Sequence, residues 1–462
     1  MTNDVTIAWL RRDLRLSDNP ALLSGASGRV IPLFILDPVI DGQLGAAARL
    51  RLRLSLETLQ RDLAEIGAPL ILRRGEALTV LRDVIAATGA GRVAWTRLTD
   101  RASIERDMAV KTALKADGVS AESFGGFTLL DPWTVKTGAG GPFKVFTPFS
   151  RALAAIGAPP PAPTVSALTA VAGLASDDLA GWGLDAPMGP AAAALAGQIE
   201  AGEQAALSRL DAWLDGPGPR YRADRDRLDL SEACTGLSDH LALGEISPRT
   251  VWAMMDRAGG DAGVEAARRQ LMWRDFAHSL LFNDPEMERE PWRRDWAAFP
   301  WRCDNDDAER WRRGETGCDV VDAAMRELYA TGRMHNRARM LVGSYLTKHL
   351  LTDWRVGEAW FRETLIDWDP ANNAMGWQWI AGCGPDAAPF FRIFNPETQA
   401  EKFDPAKIYR TYWLTGDGAE TFRSMRPKSH TTARAARPEP IVELKAGRKR
   451  ALDAWERMRE NA

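Results

Sequence analysis

The 462-residue sequence has little of what usually assigns a chain at sight. Its four cysteines, Cys234, Cys303, Cys318 and Cys383, show no CxxC spacing and no near histidine partner. That argues against a zinc cluster or a disulfide framework and fits a reducing cytosol. No charged start leads into an apolar run, and no stretch approaches the ~18 to 20 apolar residues of a membrane span. A soluble, cytoplasmic protein is expected. The formal net charge is only -3, so the molecule as a whole has no electrostatic attraction for nucleic acid. Any such contact has to come from local arginines: Arg220, Arg222, Arg225 and Arg227, then Arg333, Arg337 and Arg339, then the basic stretch from Lys407 to Arg437. No GxGxxG follows the first apolar run, which removes support for a dinucleotide site of the usual kind. Tyrosine is scarce at 5, while tryptophan reaches 18, about three times average usage. So much indole calls for a use of its stacking or its redox chemistry.

The length suggests two or three domains. In the first third, short apolar runs at Val5 to Leu10, Val30 to Leu36, Pro69 to Leu72, Arg92 to Thr96 and Val119 to Phe124 alternate with helical patterns at Ala46 to Ile66, Glu76 to Thr88 and Ile104 to Ala116. This predicts an α/β domain over residues 1–130, a doubly wound parallel sheet covered on both faces. The loop Arg11 to Arg15, beyond the carboxyl end of the first strand, is placed to meet a ligand. Residues 131–199, rich in Ala, Pro and Gly, read as an interdomain connection, and residues 200–462 as an all-α domain.

The densest chemistry lies between Gly332 and Asp404. Helical spacing around Arg339 to Leu351 puts Asn336 and Met340 on one face with Gly343 and Ser344. Asp367-Trp-Asp369-Pro370 reads as a tight turn presenting side chains inward. Such residues suit a planar aromatic ligand with polar edges, and a Trp-rich helical core with a polar rim fits the same spacing.

MHNRARM, IDWD with Asn373 behind it, WQW and FRIFNPETQ stand here in the order and at the separations found in the cryptochrome/photolyase family. With the opening WLRRDLRLSDNPAL and the segment from Tyr221 onward, the chain resembles that family over nearly its whole length, and most of all its class I cyclobutane pyrimidine dimer DNA photolyases. The resemblance implies FAD in the helical domain, held by Tyr221, the loop Thr235, Gly236, Leu237 and Ser238, and by Arg274, Arg339, Asp367, Asp369 and Asn373. It implies that UV-damaged DNA meets Arg225, Gln270, Trp273, Asn336, Met340, Trp379 and Gln399. Trp377, Trp354 and Trp301 match the family's electron relay. Gln270 stands where a Glu is usual in dimer-repairing members, Arg333 where a Trp is usual, and Cys234 where a Thr is usual.

The function so implied is light-dependent repair of cyclobutane dimers by electron transfer from excited reduced FAD, in a monomer. The alternatives are a blue-light cryptochrome signalling to a protein partner, and a (6-4) photolyase, favoured by Gln270 and opposed by Asn336. A folate antenna is not supported: Ala102 and Ser103 replace an Asn-Glu pair, and Asp37 to Ala47 contains no His. A deazaflavin-like antenna, another, or none is expected.

Overall fold

A computed structural model describes residues 5–189, 191–386, 392–425 and 438–460. They form two compact units. The first comprises Met1–Pro187, Ile199–Pro219 and Thr235–Pro285; the second comprises Met188–Gln198, Arg220–Cys234 and Glu286–Ala462.

Unit one is built on strands β1 (Val5–Leu10), β2 (Arg29–Leu36), β3 (Ile71–Arg74), β4 (Arg92–Thr96) and β5 (Ser120–Phe124). They are all parallel, in the order β3-β2-β1-β4-β5, and a short β6 (Thr169–Ala170) pairs with the start of β2. Ile7 lies opposite Ile31 on one side and Val93 on the other. The strands are continuously apolar because both faces are covered. Ile7 and Trp9 pack beneath Leu81, Val84, Val110 and Leu114, from the helices Ala77–Thr88 and Arg101–Ala116. Ala8 and Leu10 pack beneath Leu52, Leu56, Leu59 and Leu63 of the helix Ala46–Glu65. Placing helices on opposite faces to either side of β1 makes the doubly wound order the sequence predicts.

The loop after β1 differs from expectation. Arg11 and Arg15 are 1 % exposed and spoken for. Arg11 donates to Asp107 at 2.7 Å and to the Thr96 carbonyl, and it lies over Trp9. Arg15 donates to the carbonyls of Asp18 and Gly244. Buried guanidinium groups require such partners, so these two are structural and not poised for a ligand. Gly244 is obligatory here: its φ is +68° and a Cβ would lie 2.1 Å from the Arg12 carbonyl oxygen.

Unit two is helical. The helix expected across Arg339 to Leu351 is an α-helix only over Asn336–Ser344 and continues as a π-helical turn, Tyr345–His349. The buried Lys348 in that turn donates to the Ala381 carbonyl, a partner its amine needs in an apolar interior. The turn predicted at Pro370 is instead the start of the helix Pro370–Ala381. Proline lacks an N–H and has a helix-compatible φ, so it suits the first helical position. Asp369 caps this helix, accepting the N–H of Asn372 at 2.9 Å. No helix among the described residues is long and apolar enough to cross a membrane.

Candidate functional site

Each unit contributes candidate groups. In unit two, Arg339 donates to Asp367 Oδ2 at 2.7 Å and to the Met334 carbonyl at 2.9 Å. Asp367 is 9 % exposed, and its other oxygen, Oδ1, is buried without a partner among the described residues. An orphaned buried carboxylate oxygen is costly unless a donor reaches it. A flavin ring carries an N–H on its pyrimidine edge, so this orphaned acceptor fits that cofactor. Asn373, one turn into the helix Asp369 caps, donates through Nδ2 to Glu358 at 2.8 Å. Burial raises the Glu358 carboxyl, against the pull of Arg362 and this Asn373 bond. Glu358 gives no signal in the sequence, being 15 residues away on a neighbouring helix.

The helix Asn336–Ser344 packs against Pro370–Ala381, with Gly343 against Ile380. Asn336 is exposed and its amide reaches the Met340 sulfur at 4.0 Å, so the two share a face as predicted. Trp377 and Trp379 lie two residues apart on one helix, roughly 200° around its axis. Trp377 is buried against Trp311 and Phe361, whereas Trp379 stays half-buried. Gln399 is half-buried on the helix Pro396–Phe403.

Backbone contacts link the segments that carry the three tryptophans expected to form a relay. A parallel bridge pairs Arg302 with Thr352, bringing Trp301 beside the segment that enters Trp354. Trp354 is fully buried and opens the helix Trp354–Thr364, and Gly357 in that helix lies flat on the Trp377 ring, where a Cβ would come within 2.1 Å. Trp301, at the other end, is half-buried.

Near the start of this unit Tyr221 is buried, with the guanidinium of Arg225 5.9 Å from its ring. The cysteines have a histidine neighbour after all, since Cys234 Sγ is 3.7 Å from His335 Nε2. Burial pushes that thiol up to about 11 and that imidazole down to about 4. Both are neutral at physiological pH, so this is no activated nucleophile.

In unit one, the loop Thr235–Ser238 leads into the short helix Ser238–Leu243, which has no side-chain cap. Gly236 has a φ of +63°, and a Cβ there would lie 2.8 Å from a guanidinium nitrogen of Arg209. That arginine, from the helix Glu203–Asp215, puts a positive charge over the loop expected to hold diphosphate, and the sequence reading missed it. Arg274, expected at the same phosphate, instead donates to the carbonyls of Phe127 at 2.7 Å and Leu241 at 3.5 Å, tying the short helix down. Beneath lies Arg51, bonded to Asp239 at 3.1 Å and to Glu245 at 2.5 Å, and Glu245 also accepts the Gly202 N–H at 2.8 Å. Trp273 stacks on Phe146 with centroids 3.6 Å apart and planes 6° from parallel. Gln270 is exposed and bonds to the Ala266 carbonyl of its own helix.

Residues 6–166 match the DNA photolyase family and residues 267–457 the FAD binding domain of DNA photolyase. A deoxyribodipyrimidine photo-lyase of Agrobacterium fabrum is 42 % identical over 469 residues, covering 97 % of each chain. The chain belongs to the photolyase/cryptochrome family. Within the family, cryptochrome-1 of Arabidopsis thaliana is 34 % identical over 88 % of this chain, which spans 62 % of that protein. The solved structure of a bacterial class III photolyase from Agrobacterium tumefaciens matches with a TM-score of 0.89 and 39 % identity, covering 100 % of this chain and 98 % of that one. The family membership carries the sheet domain, the helical domain and FAD as cofactor to this chain.

Proposed function

We propose that this chain repairs cyclobutane pyrimidine dimers in DNA under light. The observation that carries the reading is in unit two: the open face of Asn336, Met340 and the half-buried Trp379 lies on the two packed helices that also carry Arg339 and Asn373. FAD, when bound and fully reduced, supplies an electron to the lesion on excitation and takes it back. The chain's own residues bind and orient. Asp367 Oδ1 and Asn373 would accept and donate along the flavin edge, and Arg339 would balance the charge. In unit one the loop Thr235–Ser238 with Arg209 would hold the diphosphate, and in unit two Tyr221 and Asp369 would contact the cofactor. Trp379 in unit two and Trp273 in unit one would each offer a stacking face to a flipped-out dimer, whose weak pairing lowers the cost of extrusion. Gln270, Asn336 and Met340 would touch its polar edges. Trp377, Trp354 and Trp301 would lead an electron inward from the surface.

The deciding experiment is illumination of the reduced protein with oligonucleotides carrying one cyclobutane dimer or one (6-4) photoproduct. Recovery of intact thymines from the first supports the reading. Repair of the second alone would favour the subtype that Gln270 suggests, and repair of neither would favour a signalling cryptochrome. Arg225, Gln399 and the basic stretch to Arg437 would meet phosphates; residues 426–437 of that stretch lie outside the described residues. Affinity should then weaken with salt, with a log-log slope of about 0.9 per phosphate contacted.

Phe146 gives a further prediction. Its stack holds Trp273 in one orientation, so Phe146→Ala should leave flavin content intact and weaken dark binding of a dimer-containing oligonucleotide by roughly tenfold, the effect of losing one well-packed aromatic pair. Unchanged binding in a titration would show that Trp273 needs no such support.

A further inference from the structure

What fixes the first turn of the helix Asn336–Ser344 lies on another helix. Glu327, on Asp319–Thr331, accepts the backbone N–H of His335, the residue that caps Asn336–Ser344. It also accepts the Tyr409 hydroxyl at 2.5 Å. Tyr409 belongs to the helix Ile408–Leu414, which packs on Asp319–Thr331, and its own N–H is held by Asp404 at 3.0 Å. Three segments thus converge on one carboxyl group. We propose that Glu327 is a positioning residue that anchors the helix carrying Asn336, Arg339 and Met340, and acts as a second anion behind the Arg339 guanidinium, so tuning its hold on Asp367. This rests on the reading of that surface given above.

The physical case starts from Arg339, which bonds to one acid and acts through its charge on a second. Its bond to Asp367 is seen at 2.7 Å, and its charge also acts on Glu327. Burial pushes Glu327 up to about 7, opposed by the Tyr409 hydroxyl, by Arg339 and by the His335 N–H, the groups that act on it. Burial drives Tyr409 well above the usual phenol range, with Glu327 and Asp404 adding to the rise, so the hydroxyl remains the donor. A neutral Glu327 leaves Arg339 wholly to Asp367; an ionised one divides its attraction. That difference falls where the flavin edge and the lesion face meet one helix. Neither position is marked in the sequence: Glu327 lies in an ordinary amphipathic stretch, and Tyr409 comes 82 residues later.

The test uses FAD-loaded full-length protein, Glu327→Gln and Tyr409→Phe. The glutamine keeps an acceptor for His335 and Tyr409 and removes only the charge. Flavin absorption is followed from about pH 6 to 8, around the carboxyl's raised value, together with dark affinity for a cyclobutane-dimer oligonucleotide. The wild type should show a single titration of the flavin band. Glu327→Gln should lack it and hold the wild-type low-pH spectrum throughout, and Tyr409→Phe should shift its midpoint. Glu327→Ala, which loses the anchor as well, should bind the lesion about tenfold more weakly with the same quantum yield once bound. A wild-type band that does not titrate, or a titration surviving in Glu327→Gln, overturns the proposal. If the wild type bound no lesion at all, the repair reading would fail, while the flavin band would still decide the role of Glu327.

Discussion

Arg51→Ala is expected to destabilise the protein by about 3–5 kcal/mol, the usual result of stripping the cation from a buried ion cluster. Arg51, Asp239 and Glu245 are at most 1 % exposed, so the two carboxylates left behind have no water to turn to. The damage should spread to the loop Thr235–Ser238, because Glu245 holds the Gly202 N–H that precedes the helix bearing Arg209, and Asp239 sits in the helix that follows the loop. Urea denaturation should show the loss, and flavin retention on gel filtration should fall with it. A variant less than about 1 kcal/mol weaker would mean that the cluster relaxes or admits water. The pH dependence follows the same chemistry. Burial by itself would raise Glu245, but the hydrogen bond from His240 and the Arg51 charge hold it at about 2. A depressed carboxyl contributes stability that is fully present above its unfolded value near 4.5 and is lost as pH falls from there toward 2. The wild type should therefore lose more stability than Arg51→Ala over that acid range, by at most roughly 3 kcal/mol, since the His240 bond remains in the variant.

Trp377→Phe should lower light-driven reduction of the bound flavin by about a hundredfold or more, while chemically reduced protein still repairs at near wild-type yield. The indole is enclosed by Trp311, Phe361 and the bare Cα of Gly357, so a smaller ring leaves the fold standing at a cost of about 1–3 kcal/mol. Gly357→Ala reaches the same end by another route, since its methyl group would have to occupy the space of the Trp377 ring. It should lose photoreduction and stability together. Photoreduction at wild-type rate in Trp377→Phe would place the relay elsewhere in this indole-rich unit.

The short apolar runs of the opening strands and the three-to-four spacing of the helices after them are local signals, and they placed β1 to β5 within about two residues. Asn336 and Met340 were legible for the same reason, lying four apart on one helix. Pro370 was misread because proline marks a turn and a helix start equally well, and only the bond from Asn372 to Asp369 tells them apart. Arg11 and Arg15 had the position of ligand contacts, yet tertiary partners far along the chain, Asp107 and Gly244, claimed them. Glu358, Arg209, Phe146 and Glu327 were invisible. Each acts through a contact between segments distant in sequence, and no periodicity encodes such a meeting. The expectation of a relay through Trp301, Trp354 and Trp377 came only through resemblance, and the bridge between Arg302 and Thr352 leaves no pattern in the residues themselves.

The Arg51 cluster also constrains how the chain is assembled on the ribosome. Its partners lie 188 and 194 residues downstream. At a synthesis rate of about 5–20 residues per second, the strands, complete at Phe124, and their covering helices can collapse roughly 6–24 s before Asp239 and Glu245 have emerged. During that interval the nascent sheet carries an uncompensated cation on the helix Ala46–Glu65, so this face stays open to water and the early domain remains loose. The cation is paired only when the later segment docks and supplies both carboxylates.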